Sequence, residues 1–420
     1  MLETIGRNIV GPVMLNYVLW VLKRAQEKKI KVLYFLARDG YLLHKIAMFL
    51  CKYYKLEIEC RYLYCSRMSL RMATYGYIGK ETWELIFAKS KKLTLTVIFD
   101  RLQLSKEEKE SVIRNANINL SLGQDLTEVE FCDIKQKLIS NNYLNDLILL
   151  KSAKAFENTI SYFRQEQLLS HKQIGIVDSG WTGSMQRSLR QILDRAGTNI
   201  KITGFYFGSF YNKHDKADGE YCNWYFDEKH GFWRKVYFCN NVLEAFLSAP
   251  HEMTMGYYFT GSLCKPLFKP ASDRGKFYLA IEKLDNACME FVKNAVKDIE
   301  YASYDSQIAL KKSEKLLKRF MTFPTIGEVE AFDTFMFCDD LSESYSAKLA
   351  SREQLDLLSN YFILKRFFIK EFRQSVIDKA ELLFWPYGTA AFAGKFASFW
   401  YRINIISWEA LRYFKQSLRS

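Results

Sequence analysis

Metal-site and disulfide spacings are missing from this sequence. Its nine cysteines are scattered without a C-x-x-C pair, and its five histidines (His44, His171, His214, His230 and His251) stand alone, with no H-x-x-x-H. A zinc site or a disulfide framework is therefore not expected, and a reducing compartment, the cytoplasm, is the expected setting. Also missing is any run of eighteen uninterrupted apolar residues. The opening segment, MLETIGRNIVGPVMLNYVLWVLKRAQEKK, has no basic n-region or small-residue cleavage site and is interrupted by Asn16. It reads as a core-facing helix, not as a leader or a span. Internal repeats and low-complexity tracts are lacking too, which argues against a repeat array.

What is present is apolar and basic. At 420 residues, with 49% hydrophobic and 16% aromatic content, the chain can bury a large core arranged in two or three lobes. Sixty Lys and Arg against 47 Asp and Glu give a net charge of +13. That excess suits a polyanionic ligand, a nucleic acid or an acidic membrane surface, and charge alone does not choose among them. No RNA- or DNA-binding motif is recognisable, so a nucleic-acid partner is not expected.

Short β-branched and aromatic runs predict strands over 31–37 (KVLYFLA), 59–65 (ECRYLYC), 173–177 (QIGIV) and 200–208 (IKITGFYFG). Helical patterns follow the first and third of these. Alternation of this kind predicts an α/β fold with a mostly parallel sheet, whose ligands lie beyond the carboxyl ends of the strands. Helical periodicity across 81–165, including SKEEKESVIRN, marks an inserted helical lobe. Residues 218–262, rich in Tyr, Phe and Trp, are expected to add strands or loops beside the sheet, and 273–420 reads as a helical region.

Two strand-end loops carry the chemistry. In GIVDSGWTGSMQRSL (175–189) an apolar strand ends in Asp178, and a Thr-Gly-Ser turn opens a helix from about Thr182. Gly183 lets backbone approach an anion, N–H groups at the helix start converge on it, and Thr182 and Ser184 add hydroxyl donors. Asp178 can accept from vicinal hydroxyls of a ribose. The bland alternative is a tight turn allowed by Gly180 and Gly183, with Asp178 capping the helix. In FLARDGYLL (35–43) Arg38 can grip phosphate oxygens bidentately and Gly40 permits close backbone approach. Asp39 can hold Mg²⁺, orient a hydroxyl or cap the following helix, and the pair Arg38-Asp39 can also be a local ion pair. Arg67, where the strand in YLYCSRMSLRM (62–72) ends at Ser66-Arg67, is a further cation for a diphosphate or a solvated arginine.

The first loop resembles the phosphoribosyl pyrophosphate (PRPP) loop of the phosphoribosyltransferases, and the second resembles their pyrophosphate loop. Ser179 stands where that family has a second acid, the link from acid to Thr182 is shorter, and Trp181 before the Thr-Gly pair is similar to a divergent branch. With Gly6-Arg7, Gly11-Pro12, LARDG and LEAFLSAPHEMTMGYY (243–258), the chain resembles a group of bacterial polysaccharide-cluster proteins often labelled haloacid-dehalogenase-like hydrolases. The resemblance implies a Rossmann-like phosphoribosyltransferase core over 1–80 and 166–272. It further implies 5-phosphoribosyl transfer from PRPP to a sugar of O-antigen or capsule, with Mg²⁺ held by Asp39 and Asp178. Ser179, Gly180, Trp181 and Gln186 would join the substrate contacts, and Glu244, His251 and Glu252 are candidates for the acceptor's base. Expected partners are PRPP, a glycan acceptor, lipid-linked or free, a phosphatase and other glycosyltransferases.

Two rival functions are separable. A haloacid-dehalogenase-type phosphohydrolase needs D-x-D-x-T after a strand, because one carboxylate attacks phosphorus while its neighbour protonates the leaving group. The chain has no such motif, and Asp333-Thr334 and Asp339-Asp340 do not supply it. A non-catalytic binding module on a decayed fold would lose its pyrophosphate-loop contacts, whereas Arg38 is present. Finally, FWPYGTAAFAGKFASFWYRINIISWEALRYFKQSLR interleaves Trp and Phe with Lys and Arg. That pattern is compatible with a helix at the inner face of the cytoplasmic membrane, with a core helix, or with a surface for a partner glycosyltransferase.

Overall fold

Val32–Leu36 (β1) is buried at every position because its alternating side chains feed two cores. Leu33 and Phe35 join one, and Val32, Tyr34 and Leu36 the other. A strand apolar on both faces belongs inside a helix-covered parallel sheet. The computed structural model has that sheet, with β2 (Glu59–Leu63), β3 (Gln173–Trp181), β4 (Lys201–Ser209) and β5 (Glu220–Phe226). The order is β2-β1-β3-β4-β5 and every pairing is parallel. The structure describes residues 1–76, 78–88, 93–210, 216–270, 274–338, 346–362 and 383–417.

The helices that matter to the site are α1 (Leu2–Glu27), α2 (Gly40–Tyr54), α3 (Arg67–Thr74), α4 (Asn142–Gln165), α5 (Ser184–Arg195), α6 (Asn240–Phe246), α7 (Gly275–Ala295), α8 (Ser306–Thr322) and α9 (Lys395–Ser417). One face of the sheet packs on α1, α2, α7 and α8, and the other on α3, α4 and α5. The result is a three-layer α/β fold. Helix α1 includes a π turn at Gly6–Val10. By length and composition it can cross a membrane, yet 78% of its most apolar window is buried within the protein, so its apolar surface is already spent on the core.

The described residues between α3 and β3 are chiefly helical, with shorter helices and α4 around a separate cluster that includes Trp83, Phe87, Ile98, Phe99, Leu138 and Ile148. The stretch SKEEKESVIRN is the helix Lys106–Asn115, started by a reciprocal capping box between Ser105 and Glu108. Beyond β5, the aromatic region contains a hairpin of β6 (Thr254–Thr260) and β7 (Leu263–Phe268) apart from the main sheet. The carboxyl-terminal region is chiefly helical, with one short antiparallel pairing of Met336–Phe337 and Ala347–Lys348.

One boundary differs from expectation. The third strand does not stop at Val177 but runs through Trp181, because β4 continues alongside and pairs Asp178 with Tyr206, Gly180 with Gly208 and Trp181 with Ser209. The following helix starts at Ser184, with Gly183 as its N-cap.

Candidate active site

The chain leaves β1 towards β2 on one side, while β3 lies on the other, so the carboxyl ends of β1 and β3 form the topological switch point of the sheet. Both motif-bearing loops open there. The Ser179 hydroxyl donates to Asp39 Oδ2 in a short hydrogen bond that joins residues 140 apart in sequence. Asp39 occupies the N-cap position of α2 but makes no side-chain cap bond, and Asp178 lies within β3; neither carboxylate is a helix cap. Beneath them, the buried Tyr17 hydroxyl of α1 bridges the carbonyls of Asp178 and Phe205 at 3.0 and 2.9 Å.

Three carboxyl groups share one electrostatic environment. Burial pushes Asp178 up to about 8, and the neighbouring Asp39 charge adds to the rise; N–H groups of Ser179 and Gly180 partly oppose it. Burial also raises Asp39, against the Ser179 bond and the charges of Arg38 and Arg67. Glu244 on α6 rises to about 7, again by burial and then by Asp39, with Arg67 and Arg38 opposing. Trp181 Nε1 donates to Glu244 Oε1 at 2.8 Å. Perturbed acids acted on by two arginines at the strand ends make this a candidate functional site.

Two helices begin at this point without a side-chain cap, α2 after Asp39 and α5 after Gly183. Their first N–H groups and dipoles offer anion sites facing the switch point. Thr182 is exposed at the second of these and Ser184 is half-buried. Gly180 has φ +109°, and a Cβ there would lie 2.4 Å from the Gly208 carbonyl oxygen. Only glycine fits.

Mg²⁺ fits the donor set. Among the described residues no group of three or more His, Cys, Asp or Glu side chains is placed to hold a metal alone. Mg²⁺ is commonly held by one or two carboxylates with the remaining positions filled by substrate phosphates and water. Asp39 and Asp178 would be those two carboxylates, and their mutual repulsion is what a divalent cation would relieve.

Several expected contacts take other roles. Gln186 is fully buried: its Nε2 donates to the carbonyls of Asp218 and Glu220, and its Oε1 accepts from Tyr206. It ties α5 to the sheet and has no free group for a phosphate. A Cβ at Gly40 would sit 2.7 Å from the Phe35 carbonyl carbon, so glycine there serves helix-to-strand packing. The Trp181 indole packs among Phe210, Phe226 and Phe238, leaving its N–H to position Glu244. Both ring nitrogens of His251 are engaged, one with the Tyr62 hydroxyl at 2.6 Å and one with the Glu252 carbonyl at 2.9 Å, and burial lowers its proton affinity. Glu252 is buried against Arg274 and Tyr278. His251 and Glu252 therefore have structural partners. Arg67 opens α3 as an exposed residue whose charge reaches Asp39 and Glu244.

Tyr17 escaped the sequence reading, since one tyrosine in an apolar helix has the same signature as core packing. Asp333 pairs with Lys348 at 2.6 Å, and Asp339-Asp340 lie outside the described residues. No protein-family model and no curated protein matches this chain.

Proposed function

We propose that this chain transfers the 5-phosphoribosyl group of PRPP to a sugar hydroxyl of a growing bacterial glycan and releases pyrophosphate, with a separate phosphatase later removing the 5-phosphate. The observation that carries this reading is the Ser179–Asp39 contact, which holds the two phosphate-type loops against each other at the switch point. Loops this close suit one ligand with phosphates at both ends.

In this reading the turn 182–184 and the start of α5 hold the 5-phosphate, while Arg38, Arg67 and the start of α2 hold the pyrophosphate. Asp39 and Asp178 would hold Mg²⁺, which would supply positive charge to the departing pyrophosphate. The anomeric C–O bond breaks with its electron pair leaving on pyrophosphate, and the acceptor oxygen forms the new bond from the opposite face, giving the β anomer. The acceptor's proton passes to Glu244, whose proton affinity near neutrality suits a general base. Preorganised charge and orientation supply most of the rate.

The test is incubation with PRPP, Mg²⁺ and synthetic glycan acceptors, read by mass spectrometry for a phosphopentosyl adduct and by pyrophosphate release. Absence of both, with no PRPP binding, rejects the proposal. Phosphate release from a phosphosugar without an acceptor points to the phosphohydrolase; PRPP binding without turnover points to a binding module.

A peripheral membrane site belongs to the same proposal. Helix α9 exposes Phe396, Phe399, Trp400, Ile403, Leu411 and Phe414 along one side, with Lys395, Arg412 and Lys415 also exposed. Aromatic and basic side chains together suit an anionic bilayer interface, where lipid-linked glycans are presented.

A further inference from the structure

A cavity of about 470 Å³ lies between α2 and α7, beside the loop at 35–43, which contributes Tyr41 to its lining. It begins where the Arg38 loop ends. Tyr41, one of its walls, donates its N–H to the Arg38 carbonyl at 3.0 Å. Arg38's charge acts on Tyr278, another wall, and on His251, next to the lining residue Pro250.

The floor of the cavity is a pair joined across 240 residues of sequence, Lys45 Nζ to Asp285 Oδ2 at 3.1 Å. The Asp285 side chain is 2% exposed, and its Oδ1 has no hydrogen-bond partner. A buried carboxylate oxygen without a donor calls for one, and a hydroxyl is the donor a neutral ligand brings. Lys45 Nζ sits 4.2 Å from the centre of the Tyr41 ring and can donate to a second oxygen. Aromatic walls suit the C–H face of a sugar ring, and about 470 Å³ falls within the range of small-ligand pockets. One lysine faces two acids here, Asp285 and Glu282, so the lining disfavours a phosphate.

We infer that this cavity is the acceptor subsite, taking a neutral hexose unit with adjacent hydroxyls on the Lys45–Asp285 pair and the reacting hydroxyl turned towards the Arg38 loop. The inference rests on the proposed transfer reaction for its meaning, but binding of the sugar is measurable without it.

The experiment uses the full chain. Saturation-transfer NMR is recorded with methyl α-D-glucopyranoside, methyl α-D-galactopyranoside and methyl α-D-mannopyranoside, and PRPP binding is followed in parallel by calorimetry with Mg²⁺. At least one glycoside is expected to bind the wild type. Binding weakens tenfold or more in Asp285→Asn, which replaces an acceptor with a donor, and is lost in Leu279→Trp, which fills the mouth from an exposed position. No signal with any glycoside, or equal signals in all three proteins, overturns the subsite. Glycoside binding with the expected losses but no PRPP binding in the wild type overturns the donor reading alone.

Discussion

Trp181 and Glu244 are joined by one hydrogen bond, indole N–H to carboxylate at 2.8 Å, across 63 residues of sequence. The residue that ends β3 thus fixes the carboxylate proposed to take the acceptor's proton. That bond favours the ionised carboxylate and opposes part of the rise caused by burial. Trp181→Phe keeps the ring contacts and removes the donor. Glu244 then protonates at higher pH, and the acidic limb of the kcat/KM profile moves upward. The loss is larger at pH 6 than at pH 8, and an unmoved limb would show that Glu244 is not the base.

Asp178 has the opposite bearing on stability. Its carboxyl takes up a proton more readily in the folded chain, with a value near 8 against an ordinary 3.8. The folded state therefore binds more protons between those values, and the stability present below about pH 4 is lost as pH rises through about 8. Asp178→Asn flattens this fall and raises Tm at pH 8, at roughly 2 °C per kcal/mol. Mg²⁺ stabilises the wild type more at pH 8 than at pH 6, since binding displaces the proton. Thermal denaturation against pH, with and without Mg²⁺, measures both effects.

Arg38→Ala and Asp178→Ala are each expected to abolish adduct formation while circular dichroism stays unchanged. Arg38→Lys retains charge but loses the planar fork, and its kcat falls by about 10²-fold, the scale of removing one preorganised donor. Ser179→Ala unties the two loops, and a rise in the KM for PRPP is its expected signature. Wild-type turnover in both alanine variants at positions 38 and 178 would reject the site.

Gly180→Ala forces a side chain into a positive-φ position and against the Gly208 carbonyl. The expected cost is on the order of 3 kcal/mol, seen as a lower Tm. Gln186→Leu leaves the carbonyls of Asp218 and Glu220 without their donor and destabilises by about 1–3 kcal/mol. PRPP affinity per folded molecule is unchanged, which separates its role from that of a phosphate ligand.

For α9, co-sedimentation with vesicles containing phosphatidylglycerol is expected for the wild type. Replacing Phe396 and Trp400, both at least half exposed, with Ser reduces it several-fold without lowering Tm. Equal sedimentation of both proteins would place the aromatic stripe elsewhere.

The main strands were legible because apolar β-branched and aromatic runs stop at charged or glycine-containing turns. KVLYFLA before Arg38 and IKITGFYFG are two such runs. The extension of β3 through DSGW was not, since pairing with β4 is a long-range event that the local string does not encode. Polar residues misled most. Gln186 looked like a substrate contact and is buried, with its Oε1 accepting from Tyr206. Tyr17 and the Lys45–Asp285 pair act through partners 161 to 240 residues away, so no local pattern marks them.

Placing β1 between β2 and β3 sets an order for assembly. As the chain emerges, β1 can pair early with β2, but its other edge stays open until residue 173 arrives, after the whole helical lobe. That edge is apolar on both faces and offers a template for unwanted strand pairing. A fragment ending before Gln173 should therefore aggregate, and the intervening helices, which pack on a cluster of their own, occupy the interval between the two motif-bearing loops.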